Sequence, residues 1–189
     1  MNMRFSIFHT ARKLLLWFGV AALAYVGGTV AYAGIYQSYQ SWKFQQTDAV
    51  TPHVAVDIQD GDPVGRLEIP RIGISVMVLQ GTSEGSLAAG AGHVPGTPLP
   101  GTGGNVAIAA HRDTFFRSLK EIRPGDSIRF STVHQTFEYV VASMETVDPK
   151  DTRVIESRAV PELTLITCFP FYYVGSAPKR FIVHALPLK

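Results

Sequence analysis

Residues 14–36, LLLWFGVAALAYVGGTVAYAGIY, form a run of 23 residues without a charge. As a helix rising 1.5 Å per residue, such a run would measure roughly 34 Å, enough to cross the hydrocarbon core of a bilayer. A buried core helix should carry a polar face, and this run has none. It is therefore expected to span a membrane. Ala31-Tyr-Ala33 resembles a small-residue cleavage site, and Arg4, Arg12 and Lys13 supply a basic leader flank. The apolar part nevertheless exceeds the roughly 7 to 15 residues of a secretory leader, which favours a retained anchor. By the positive-inside rule residues 1–13 stay in the cytosol, and everything from about Gln37 onward is exported to the outer side of the plasma membrane.

The anchor divides the chain. Residues 37–62 are polar without a sustained period and read as an extracytoplasmic stalk ending near Asp62-Pro63, which leaves residues 63–189 as the folded domain. Residues 1–43 carry four basic groups and no acid, so residues 44–189 hold the remaining 13 basic groups against 15 acidic ones, a balance of −2. The exported part lacks the cationic surplus that neutralises phosphates, which argues against nucleic acid as a partner. With one cysteine in the chain, no internal disulfide can form. The domain must be held by its apolar core, for which about 125 residues suffice.

From Pro63 on, short β-branched and aromatic runs alternate with turn residues: 64–69, 74–79, 105–110, 127–132, 136–147, 163–168 and 180–185. That spacing predicts an all-β barrel or sandwich. Helical patterns are few. One covers 114–122, with Asp113 or Thr114 as its cap and Pro124-Gly125 as its stop; another covers 83–89, and 151–156 makes at most a single turn. The Gly- and Pro-rich residues 90–104 read as a loop.

The lone thiol is the chemistry to test first. Leu163-Thr-Leu-Ile-Thr-Cys168 reads as a strand that ends at its cysteine, since Pro170 cannot continue the ladder. A free cysteine is often only a small buried hydrophobe. Here it closes a strand, and a thiol kept in an exported protein is open to oxidation, so a working nucleophile fits better. His111 closes another apolar strand, and Arg180 opens a third, separated from Cys168 by residues 169–179. If the last two strands pair antiparallel, Cys168 and Arg180 face each other. His111 reaches the same rim if its strand runs parallel to the cysteine strand. Taken singly, His111 could bond only to backbone, and Arg180 could be a solvated charge.

Thr164-Leu-Ile-Thr-Cys168 resembles the TLxTC signature of sortases, Ala110-His-Arg-Asp113 resembles their histidine segment, and Lys179-Arg-Phe-Ile-Val183 their arginine strand, in the same order. HRDTFF together with TLITCFPFYYVGSAPKRFIVHA is most similar to class D sortases, over roughly residues 63–187. The resemblance implies a closed eight-stranded β-barrel with one or two short helices behind a transmembrane helix. It also implies a cysteine transpeptidase that cleaves an LPxTG-like sorting signal and passes the acyl group to an amine of the cell wall or of a pilin. Cys168, His111 and Arg180 become the catalytic candidates. His93, in the glycine-rich loop, either lines the groove as a substrate-binding residue or is an ordinary loop residue, and Thr167 is placed with the substrate site as a hydroxyl supporting it from the opposite face of its strand. The aromatic stretch Phe169–Tyr173 either walls the groove or packs on the barrel.

No cofactor is implied. His9, His53, His134 and His184 lack ligand spacing, and Asp148, Asp151 and Glu156, in a loop where some sortases bind calcium, read as solvated acids, so no metal site is expected. Two other classes compete: an exported cysteine peptidase or amidase that uses no amine acceptor, and a non-catalytic peptide-binding β-domain.

Overall fold

The computed structural model describes residues 2–46, 58–157 and 160–188. The chain divides into two units, residues 1–36 and 37–189. Helix α1 runs over Asn2–Gln46, about 68 Å at the rise of an α-helix. It continues past the apolar run because nothing between Ile35 and Gln46 breaks it; the next proline is Pro52. The helix thus extends to Gln46 into the segment 37–62 expected to serve as a stalk, of which residues 47–57 lie outside the described residues. Leu14, Leu15, Leu16, Trp17, Phe18 and Leu23 are exposed on α1. Among the described residues no helix is long and apolar enough to cross a membrane.

The second unit is a closed barrel with strands β1 (Pro63–Ile69), β2 (Ile74–Gln80), β3 (Ala91–His93), β4 (Asn105–Ala109), β5 (Ser127–Ser131), β6 (Thr136–Val147), β7 (Glu162–Phe169) and β8 (Lys179–Pro187). Their order around the barrel is β1-β2-β3-β4-β7-β8-β6-β5, and β5 closes on β1. The period-two pattern explains the closure. Leu67 and Ile69, Val76 and Val78, Ile128 and Phe130, Leu163 and Leu165, and Val183 and Ala185 all point into one core. Each large side chain so buried contributes about 1.5–3 kcal/mol. Leu165→Ala would remove one from the centre of the layer at a cost of roughly 2–5 kcal/mol.

Helix α2 (Glu84–Ala89) is capped by Ser83, whose side-chain oxygen accepts from the Ser86 N–H. The helix expected over 114–122 is instead a run of turns with a 3₁₀ segment at Arg117–Glu121, and neither Asp113 nor Thr114 caps it: the position before the segment is Phe116, without a side-chain cap. Buried Phe116, Leu119 and Ile122 recur every three residues, which matches the three-residue turn of a 3₁₀ helix and not 3.6. Residues 153–155 form the single turn expected there. Arg71 pairs with the buried carboxylate of Asp126, which also accepts the Arg123 N–H at 2.8 Å.

Candidate active site

Two registers assemble the site. Strands β7 and β8 pair antiparallel with Cys168 directly opposite Arg180, so their side chains leave the same face of the sheet, with Cα atoms about 4.5–5.5 Å apart. Strand β4 runs parallel to β7 with Ala109 beside Ile166, an offset of 166 − 109 = 57. Carried two residues on, that offset sets His111 level with Cys168. The Ala110 N–H donates to Ile166 O at 3.1 Å, and the Thr167 hydroxyl donates to Ala110 O at 2.8 Å. The backbone just before the histidine is therefore bonded to the backbone and side chain just before the cysteine.

Alternation decides the faces. Leu163 and Leu165 point into the core, which sends Thr167 inward and Ile166 and Cys168 outward. A cleft of about 310 Å³ opens on that outer face, lined by His111, Arg112, Asp113, Cys168, Gly175, Ser176, Ala177 and Arg180. Cys168 and Arg180 are half-buried and His111 is exposed. Next to the cleft the outer face is apolar: buried Ile182 and half-buried Ile166 pack with Val147, Val154 and Ile155. The loop that covers this floor is held by Asn105, whose amide donates to Val154 O at 2.9 Å and accepts from the Thr164 hydroxyl at 2.8 Å.

The two arginines of the cleft are used differently. Arg112 donates to Pro170 O at 2.9 Å, Tyr173 O at 2.8 Å and Gly175 O at 3.2 Å, with its guanidinium 5.8 Å from the centre of the Tyr173 ring. Arg180 makes contacts through Nη1 alone, to Lys179 O at 3.1 Å and Ala177 O at 3.4 Å. Of its five N–H donors, those on Nε and Nη2 meet no acceptor among the described residues. The arrangement sets a thiol, an imidazole and an unsaturated guanidinium around one opening, the elements of acyl transfer through a covalent intermediate.

His93 does not join them. It pairs with core-facing Ile108 across β3 and β4 and is 1% exposed, on the inner side of the barrel. Its Nδ1 lies 2.9 Å from Gln80 Oε1 and its Nε2 2.9 Å from Pro98 O. Burial pushes its pKa down. The expectation that His93 lines the groove is thus corrected to a buried tie between Gln80 and the loop that follows β3. The sequence reading missed β3 because its three residues, Ala91-Gly-His93, carry no alternation. Thr167, 2% exposed, faces away from the cleft and touches the site through backbone. In the aromatic stretch, Phe171 packs on the core against Phe181 with ring centres 5.4 Å apart, while Tyr172 is 75% exposed. His184, read as unremarkable, stands between two carboxylates, Glu162 at 2.5 Å from Nδ1 and Glu145 at 3.0 Å from Nε2. Among the described residues no group of acids, histidines and cysteine is arranged to hold a metal.

Residues 67–188 match the sortase domain family. The chain is 35% identical over 139 residues to sortase D of Bacillus subtilis, an alignment covering 73% of this chain and 70% of that protein. Its fold superposes on a sortase D5 transpeptidase of Clostridium perfringens with a TM-score of 0.73 at 23% identity, covering 84% of this chain and 99% of the other. Sortase A of Listeria monocytogenes gives a TM-score of 0.63 at 26% identity, over 68% of this chain and 88% of the other. With the strand-end cysteine, the eight-stranded closed barrel and these relatives in agreement, the chain belongs to the sortase family of cysteine transpeptidases and is similar to its class D members.

Proposed function

We propose that the chain is a membrane-anchored, N-in transpeptidase that cleaves an LPxTG-like sorting signal, holds the acyl group on Cys168 as a thioester, and transfers it to an amine of the cell wall or of a pilin. The observation that carries the reading is the direct pairing of Cys168 with Arg180, with His111 lining the same cleft. The uncharged run within α1 supports the anchor, and the apolar floor formed by Ile166 and Ile182 suits an extended peptide bearing an aliphatic side chain.

In this mechanism the Cys168 thiolate, stabilised by the His111 imidazolium, attacks the carbonyl carbon of the signal's threonine. The electron pair moves onto the carbonyl oxygen, where Arg180 supplies the N–H groups it does not give to protein. Arg180 cannot serve as base, because its guanidinium does not lose a proton. As the tetrahedral species collapses, the C–N bond breaks and His111 protonates the departing amine. An incoming amine then attacks the thioester, His111 takes its proton, and the thiolate is released. Thr167 acts through structure: its bond to Ala110 O keeps the histidine strand in step with the cysteine strand.

Incubation of the full-length chain in detergent micelles with LPxTG-type peptides, with and without an amine, tests this reading. The expected result is a peptide–amine adduct that disappears in Cys168→Ala. Cleavage that yields only the free acid at all amine concentrations would favour the hydrolase reading, and Cys168→Ala retaining full activity would refute the nucleophile.

A further inference from the structure

Nine residues, 170–178, connect β7 to β8 and supply Gly175, Ser176 and Ala177 to the cleft. Their first anchor is apolar: half-buried Phe171 packs against the core. Beyond it the loop leaves the barrel. Val174 is fully exposed and Tyr173 is 47% exposed, so hydrophobic burial cannot hold this stretch, and backbone carbonyls that point inward need other partners. Arg112 provides them. Its three bonds reach carbonyls of residues 170, 173 and 175, while its own backbone follows His111 directly. A second cation grips the tip, since Lys120 Nζ lies 2.5 Å from the Tyr172 hydroxyl and 5.0 Å from its ring centre. Lys120 also holds the Tyr172 phenol below its usual pKa.

Resting on the transpeptidase reading, we propose that Arg112 is the positioning residue that fixes the β7–β8 loop as the wall of the peptide cleft, so that one guanidinium couples the histidine segment to the substrate-binding surface. Three features support a positioning role over a direct one. Three of its donors, on Nη1 and Nη2, are spent on protein carbonyls of the loop, whereas Nε and Nη2 of Arg180 meet no acceptor among the described residues. The three carbonyls span both sides of the loop tip, which a planar fork of donors bridges better than a compact ammonium. Gly175, whose carbonyl is one of the three, sits at φ +99°, a conformation that suits glycine.

The test compares the native chain with Arg112→Ala and Arg112→Lys, using an LPxTG-type peptide with a fixed amine acceptor, and iodoacetamide as a small probe of the thiol. For Arg112→Ala the expected result is a KM raised about tenfold with kcat within about twofold, the pattern of lost binding geometry and not of lost transition-state contact. Iodoacetamide should label Cys168 at an unchanged rate, and Arg112→Lys should recover only part of the KM. Hydrogen exchange of the same proteins should show residues 172–177 exchanging at least about tenfold faster in Arg112→Ala, with β7 and β8 unchanged. A fall in kcat at constant KM would overturn the assignment by making Arg112 a donor to the reacting atoms. Unchanged loop exchange would overturn it outright. If the native chain turns over no sorting-signal peptide, the transpeptidase reading fails, and the exchange measurement still decides whether Arg112 holds the loop.

Discussion

Thr167→Val isolates the bond that keeps the two halves of the site in step. The substitution conserves shape and replaces the hydroxyl with a methyl group at a position 2% exposed. What is lost is the 2.8 Å bond from the hydroxyl to Ala110 O, and Ala110 is itself buried, so water cannot readily replace the donor. A buried acceptor deprived of its partner costs about 1–3 kcal/mol. With a urea m-value of roughly 2 kcal/mol/M for a domain of this size, the unfolding midpoint should fall by about 0.5–1.5 M at constant m. Thr167→Ser keeps the donor and removes one methyl, worth about 0.8 kcal/mol, and serves as the control. Activity should respond more steeply than stability, because a displacement near 1 Å between Cys168 and His111 is worth about a hundredfold in rate. The assay is transpeptidation of a fluorogenic sorting-signal peptide at a urea-free temperature where both variants are fully folded. Thr167→Val with native stability and native kcat/KM would refute the reasoning that this hydroxyl registers the two strands.

Arg180→Ala should lower kcat by about a hundred- to a thousandfold, as expected for loss of an oxyanion donor, with circular dichroism unchanged; a change confined to KM would mean that Arg180 binds only substrate backbone. Gly92→Ala should destabilise the barrel, because the added Cβ would stand 2.3 Å from the backbone oxygen of Gly81; an unchanged thermal midpoint would contradict the tight β3 packing. Acidification should weaken the fold in two steps, followed by urea titration at each pH. His93, whose folded pKa is depressed by burial, contributes stability that is whole above its unfolded value of about 6.5 and declines as pH falls through the folded value. Asp126, whose carboxyl is lowered by its hydrogen bond to Arg71, contributes stability present above about pH 3.9 and lost as pH falls through its folded value. His93→Gln should remove the first step alone.

The parts of this molecule written locally were legible in its sequence, and the parts written across it were not. Strands such as β5 and β6 announce themselves through alternation, and Cys168, His111 and Arg180 through their places at strand ends. Strand β3 was hidden because three residues cannot display a period, and with it went the position of His93, which read as a loop residue and lies inside the barrel. The segment 114–122 has a helical pattern, but Phe116, Leu119 and Ile122 lie on one side under either helical period, and only packing chose the tighter one. Arg112 carried no local sign of its role: its partners lie 58 to 63 residues away, in a loop whose path depends on how β7 and β8 pair. Asn105 is similar, a polar residue opening an apolar strand, explained by the carbonyl of Val154 and the hydroxyl of Thr164 that it meets.

The central claim is covalent, and intact-protein mass spectrometry addresses it most directly. Full-length chain mixed with an LPxTG-type peptide in the absence of amine and quenched in acid should gain the mass of the acyl fragment ending at threonine, located on the peptide containing Cys168 and released by hydroxylamine. Turnover of the peptide with no such adduct at any quench time, or an adduct that persists in Cys168→Ala, would contradict the account.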